Sequence, residues 1–256
     1  MPEQAPTHDA RLTAKTEYHA SLGRAALPRA KGAGVKQATI TQRFALILTV
    51  ANGFLDAHTY LAHGGVFANL QTGNVIFFAI NLFQQHWALT FSRVWPILAF
   101  IAGVAMAAHI KSGRVDKVLA HPLRWTMVVQ AAVLAAFGFL PATVPASFVT
   151  VPISFLGGMQ IGLFRRIGDL LYMPIATTGN LMGLVEAGYG GFAENDSDSR
   201  RAFVVYANLI GAFAGGAIVG AFGTREWGQH AIWIPAGCLV VALLLLVIDE
   251  REGNVP

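Results

Sequence analysis

The sequence predicts an all-α, polytopic membrane protein with six full transmembrane helices and two half-spanning elements, arranged as an inverted internal repeat. Three observations predict it: an apolar composition, a Thr-Gly-Asn triplet that recurs in short apolar segments, and the way the basic residues sort between loops.

Hydrophobic residues make up 54% of the chain and charged residues 12%, with a mean hydropathy of +0.52, whereas a soluble domain is about a quarter charged. At about 20 apolar residues per helical span, the chain holds roughly six to eight crossings. The net charge of +4 comes from short loops and the N-terminal arm, so it reports membrane topology rather than nucleic-acid binding. Cys238 is the single cysteine, which excludes a disulfide framework and a CxxC metal knuckle.

Residues 1–43 carry seven Lys/Arg against three acids and have no apolar stretch to serve as a signal peptide. They read as a disordered, basic, cytoplasmic arm. Apolar segments follow at 44–62, 94–109 and 125–140, forming repeat A (44–140), and at 146–164, 202–222 and 231–248, forming repeat B (146–250). Between the first two segments of each half lies the triplet, in "NLQTGNVIFF" (69–78) and again in "IATTGNLMGL" (175–184). The apolar pieces after it, "VIFFAINLF" and "LMGLVEAGY", are nine residues each, roughly 14 Å of helix and about half a bilayer.

The 18 Lys/Arg decide how these pieces sit. If both cross fully, eleven basic residues fall inside and seven outside; if both return to the side they entered, sixteen fall inside and only Arg93 and Arg225 outside. The second arrangement gives six full spans with both termini cytoplasmic.

The triplets align at a shift of 106 residues, with "GFLD" (53–56) opposite "GGMQ" (157–160) upstream. Downstream, "AFIAG" ending at Gly103 matches "ANLIG" ending at Gly211, a shift of 108. Three full spans per half is an odd number, so the second half inserts upside down, the plan of many secondary transporters with sites at discontinuous helices.

Asp56 is the one acid well inside an apolar segment, and such a carboxylate is costly unless paired, protonated or wet. Thr49, Asn52, Thr59, Tyr60 and His63 share its helical face. His58 points elsewhere, toward the outer interface, and the spacing of His58 and His63 gives no metal site. In each triplet, Gly permits non-helical backbone or a close approach, and Thr and Asn serve an exposed helix end whose positive dipole points into the membrane. Gln71, Thr72, Gly73 and Asn74 with Thr177, Thr178, Gly179 and Asn180 therefore form a candidate paired site, with Gln160 standing where the first half has its acid. Gly211, Gly215, Gly216 and Gly220, echoed by Gly103, read as close helix packing.

The stretches "GFLDAHTYLAHGGVFANLQTGNV" and "GGMQIGLFRR…TTGNL" resemble the YoaK family, bacterial multi-span membrane proteins of uncharacterised function, over about residues 44–250. The resemblance implies a bacterial cytoplasmic-membrane protein with a duplicated core and no established activity.

No GxSxG, Walker A or HExxH motif is present, so no enzyme and no cofactor are expected. The expected partners are the lipid bilayer, a small polar or anionic solute and protons, with oligomerisation left open. The leading expectation is a small secondary transporter with a midplane site at Asp56 and the two triplets; the alternative is a scaffold or sensor whose polar residues only join helices.

Overall fold

The computed structural model describes residues 39–115, 119–141 and 143–253. The expected disordered arm lies, but for its last residues, outside them.

The chain enters through a two-residue strand, β1 (Thr39–Ile40), and Thr41, whose hydroxyl accepts the Phe44 N–H to cap helix α1 (Gln42–Ala62). Gly64 and Gly65, both with φ near +70°, stop α1, a conformation that costs glycine little. An extended segment then leads to the short helix α2 (Gln71–Phe83). Helices α3 (Trp87–Lys111), α4 (Pro122–Phe137) and α5 (Ala146–Leu163) follow. A small hairpin, β2 (Arg166–Ile167) and β3 (Leu170–Leu171), turns at Gly168, and β2 pairs in parallel with β1. Helix α6 (Thr177–Gly188) ends in a π-helical turn at Tyr189–Ala193, before α7 (Ser197–Trp227) and α8 (Trp233–Arg251).

Four helical stretches are long and apolar enough to cross a membrane: α1, α3, α5 and the run Ser197–Arg251. The last is folded in two at Gly228, because α7 and α8 run in opposite directions against α1. Val50 of α1 meets Gly216 and Phe54 meets Gly220, so α7 is parallel to α1. Arg43 at the start of α1 pairs with Asp249 near the end of α8, so α8 is antiparallel. Helix α4 has 16 residues, about 24 Å, and falls short of a 30 Å hydrocarbon core.

Two helix pairs dominate the packing, α1 with α7 and α3 with α5, while α2 packs on α3 and α6 on α7. Both pairs are parallel and join through glycines where a side chain would strike backbone. A Cβ on Gly53 would collide with the Phe213 carbonyl and sit 3.1 Å from the Ala217 nitrogen; one on Gly158 would collide with the Phe100 carbonyl and sit 3.1 Å from the Val104 nitrogen. Gly103 and Gly216 are held as tightly against the carbonyls of Phe155 and Val50, and Gly220 against that of Phe54. Around Gly211 and Gly215 there is nothing within 4 Å of an added Cβ, so these two expected packing glycines face open space.

Helices α1 and α5 run in opposite senses, which three levels of contact establish. Phe44 meets Phe164 with ring centroids 5.1 Å apart, Asn52 bonds Gln160, and Thr59 and Ser154 both bond Ala68. The exterior is apolar, with Ile76, Phe91, Ile101, Ile218 and Leu244 exposed, while amides are buried inside. That inverts the pattern of a soluble protein and suits a lipid surround.

Candidate functional site

Asn52, halfway along α1, is 1% exposed, and its side chain is fully engaged. Its Nδ2 donates to the Leu48 carbonyl at 2.9 Å and to Gln160 Oε1 at 2.8 Å, and its Oδ1 accepts from Asn69 Nδ2 at 3.2 Å. Gln160 Nε2 donates in turn to Gln130 Oε1 of α4 at 2.5 Å. At the other end, Asn69 N–H donates to Asp56 Oδ1 at 3.0 Å, and the Leu70 N–H is also directed at this carboxylate.

These bonds form one chain in which Asn69 donates both ways, to Asp56 at one end and to Asn52, which leads through Gln160 on the opposite helix to Gln130 at the other. Gln130 Nε2, Asn69 Oδ1 and Asp56 Oδ2 are left without partners. A cavity of about 10 Å³, lined by Asn52, Asn69, Gln130 and Gln160, adjoins the amides, enough for about one water. A second space, a crevice of about 330 Å³, borders Asp56 between α1, α7 and residues 67–70.

The segment that delivers Asn69 is fixed from several sides. Arg93 of α3 donates to the Gly65 carbonyl and, at 3.2 Å, to that of Gly64, and lies 5.1 Å over the Phe77 ring. Ala68 N–H donates to Thr59 Oγ1 at 3.2 Å and its carbonyl accepts from Ser154 at 2.6 Å. Asp56 thus meets the backbone that opens α2, where an N-terminal dipole favours negative charge.

The triplets themselves do different work. They lie in the first turns of α2 and α6, and the chain breaks upstream, at 64–70 and 164–176. Of the two roles open to the glycines, non-helical backbone is ruled out and close approach is found: Gly73 and Gly179 are helical, and Phe67 and Met173 press on them, 2.8 Å and 2.7 Å from where a Cβ would stand. Asn74 Nδ2 donates to the Phe67 carbonyl at 2.6 Å, and Asn180 Nδ2 to the Met173 carbonyl at 3.0 Å while its Oδ1 accepts the Met173 N–H. Each asparagine therefore ties its helix to the strand that enters it.

Of the residues singled out in the sequence, Asp56, Asn52 and Gln160 come together through Asn69. Gln71 bonds Ala68 and Asn74, so it serves its own turn. Thr72 and Thr178 are exposed, Thr177 Oγ1 is buried without a partner, and Tyr60 is 40% exposed, stacked on Phe67 at 4.7 Å. His58 is fully buried, near the end of α1, its Nδ1 2.9 Å from Thr224 Oγ1. Among the described residues no three His, Cys, Asp or Glu gather as a metal site.

Sequence reasoning missed Asn69 and Gln130. Gln130 carried a usable signal, since it is a lone amide in the apolar run "MVVQAAVL", and intramembrane polar residues mark sites. Asn69 carried none, because its role depends on the path of the extended segment. Also missed was Asp249, fully buried and joined to Arg43 and Thr41.

The arrangement offers amide donors and acceptors and a single carboxylate, without a nucleophile beside a base. No solved structure matches the chain. Over 213 residues it is 24% identical to the "UPF0700 transmembrane protein YoaK" of Bacillus subtilis (strain 168), covering 81% of this chain and 94% of that protein. The family described as "Protein of unknown function (DUF1275)" matches residues 44–245, most of the chain. The resemblance seen in the sequence therefore holds, and the chain is an integral membrane protein belonging to the DUF1275 family.

Proposed function

We propose that this protein is a small secondary transporter of the bacterial cytoplasmic membrane, built as two inverted halves around a midplane site at Asp56, Asn52 and Gln160. The first turns of α2 and α6, with Gln71 to Asn74 and Thr177 to Asn180, flank the site. Six helices span, α2 and α6 enter and return on one side each, and both termini are cytoplasmic.

The observation that carries the reading is the chain from Asp56 through Asn69 and Asn52 to Gln160, which links oppositely directed helices at the non-helical segment 64–70. Irregular backbone at membrane depth is tolerated where it is buried in protein or lines a water cavity, and transporters place their sites there.

Matched contacts support the two-half plan. Gly53 and Gly158 make the same backbone contacts and are 105 residues apart; Asn74 and Asn180 make the same tie and are 106 apart. Arg93 donates to the Gly65 carbonyl as Tyr206 donates to that of Leu171, and Gly103 and Gly216 occupy like positions, each pair 113 apart. The shift grows by seven residues between the short and long helices, where the second half inserts its π-helical turn and loop. Gly103 thus corresponds to Gly216 and not to Gly211.

The alternative, a scaffold or sensor, draws support from Asn74 and Asn180, whose bonds are local and structural. Asp56→Asn separates the two. A folded variant that has lost solute uptake in proteoliposomes supports transport, and a variant that only fails to fold supports the scaffold. For topology, single cysteines at Gln84 and His230 in a Cys238→Ser background should react with an outside-only maleimide, and those at Arg114 and Asn195 should not. Labelling of Arg114 from outside overturns the six-span plan.

A further inference from the structure

We propose that Asp56 and the aromatic walls of its crevice form a binding site for an organic cation, an ammonium group carrying an apolar body, that reaches the site from the bilayer. The inference deepens the transport reading and rests on it for the site's purpose, but its chemistry stands on separate observations.

The first is the state of the carboxylate. Asp56 is 5% exposed; Oδ1 accepts the Asn69 N–H at 3.0 Å, the Leu70 N–H is directed at the carboxylate, and Oδ2, just beneath the surface, makes no hydrogen bond. The opening of α2, which would otherwise draw an anion, already holds this carboxylate, so a second negative group beside it meets like charge. What the free oxygen lacks is a donor or a cation.

The second is the wall of the crevice. Asp56 lines it together with Tyr60, Phe67, Leu70 and Phe213, and the volume is about 330 Å³, at the small end of ligand sites. Tyr60 and Phe67 stack at 24°, and aromatic faces beside a carboxylate are the surroundings that an alkylammonium prefers. Arg93 is not among the lining residues and is committed to Gly64, Gly65 and Phe77.

The third is access. The walls come from the last two turns of α1 and the middle of α7, and Leu61, one of the lining residues, is 56% exposed. The crevice therefore opens on the flank of the bundle, where an amphiphilic cation would partition.

The test is equilibrium dialysis of the full chain in lipid nanodiscs with hexyltrimethylammonium, against hexanesulfonate and hexanol, subtracting partition into protein-free discs. The cation should bind saturably and the other two should not. Asp56→Asn should weaken it on the order of tenfold or more, the loss expected for a charged contact, and Tyr60→Leu by about two- to fivefold. Equal binding of hexanol or hexanesulfonate, or of the cation to both variants, overturns the inference. Should Asp56→Asn fail to fold, Tyr60→Leu and the selectivity among the three probes decide. Asp56-dependent uptake of a solute that is not a cation leaves the transport reading intact and sinks this one; Asp56-dependent cation binding without uptake does the reverse.

Discussion

Asn52 and Gln160 hydrogen-bond at 2.8 Å, each almost fully buried and each on a helix that runs against the other. The contact is one of several polar links between α1 and the later helices, and its weight can be measured. Asn52→Ala and Gln160→Ala should each lower stability in detergent, and the double variant should lose less than the sum. The coupling expected for an interhelical bond in a membrane is about 0.6–1.7 kcal/mol, read from a double-mutant unfolding cycle.

Glycine replacements should divide sharply. Gly103→Ala and Gly216→Ala drive a methyl into backbone carbonyls and should cost about 1–3 kcal/mol. Gly211→Ala and Gly215→Ala meet open space and should be neutral or stabilise by up to about 1 kcal/mol, since alanine is the better helix former. Thermal unfolding of the four variants checks both halves of the statement.

Loss of either asparagine tie should loosen one short helix at a time. Asn74→Ala should raise amide hydrogen exchange in residues 66–76 and leave 172–182 unchanged, and Asn180→Ala should do the opposite. Each should cost about 1 kcal/mol, the ordinary worth of one such bond. Exchange that rises in both places in either variant would show the two elements to be coupled.

The cap of α7 should respond to acid. Hydrogen bonds from Ser199 hold Asp196 below its usual range of about 3.8. A carboxylate depressed on folding stabilises above its unfolded value and loses that contribution as pH falls through its folded value. Asp196→Ala should therefore melt lower than the parent at neutral pH, and the gap should close as the pH drops below about 3.8. A gap constant across that range would remove ionisation from the capping role.

Helix positions were legible because apolar runs of spanning length leave few alternatives, and the two short helices, of 13 and 12 residues, showed in their nine-residue apolar pieces. The location of the break was not. Thr-Gly-Asn looks like an interruption by residue type, but Gly73 is small for the sake of Phe67, a contact that exists only once the strand has turned back. The true break falls at Gly64 and Gly65, where both residues take left-handed backbone. The packing register of α7 was equally hidden. Helix α7 carries five glycines, so small-residue matching finds Gly211 as readily as Gly216, and only contact with a carbonyl distinguishes them. At the site, Asp56 and Asn52 stood out because polar groups are rare there, while Asn69 gained its place from the path of the chain.

The bond between Arg43 and Asp249 joins residues 206 positions apart, and α1 finds its main neighbours only in α7 and α8. At about 5–20 residues per second, roughly 10–40 s pass between the emergence of the first helix from the ribosome and that of its last partner. Throughout that time a segment bearing Asn52, Asp56 and His58 has no finished interior to enter. The first helix made is among the last to be completed, so truncated chains should be cleared by membrane proteases, and a holding factor at the site of insertion has the most to do before α7 arrives.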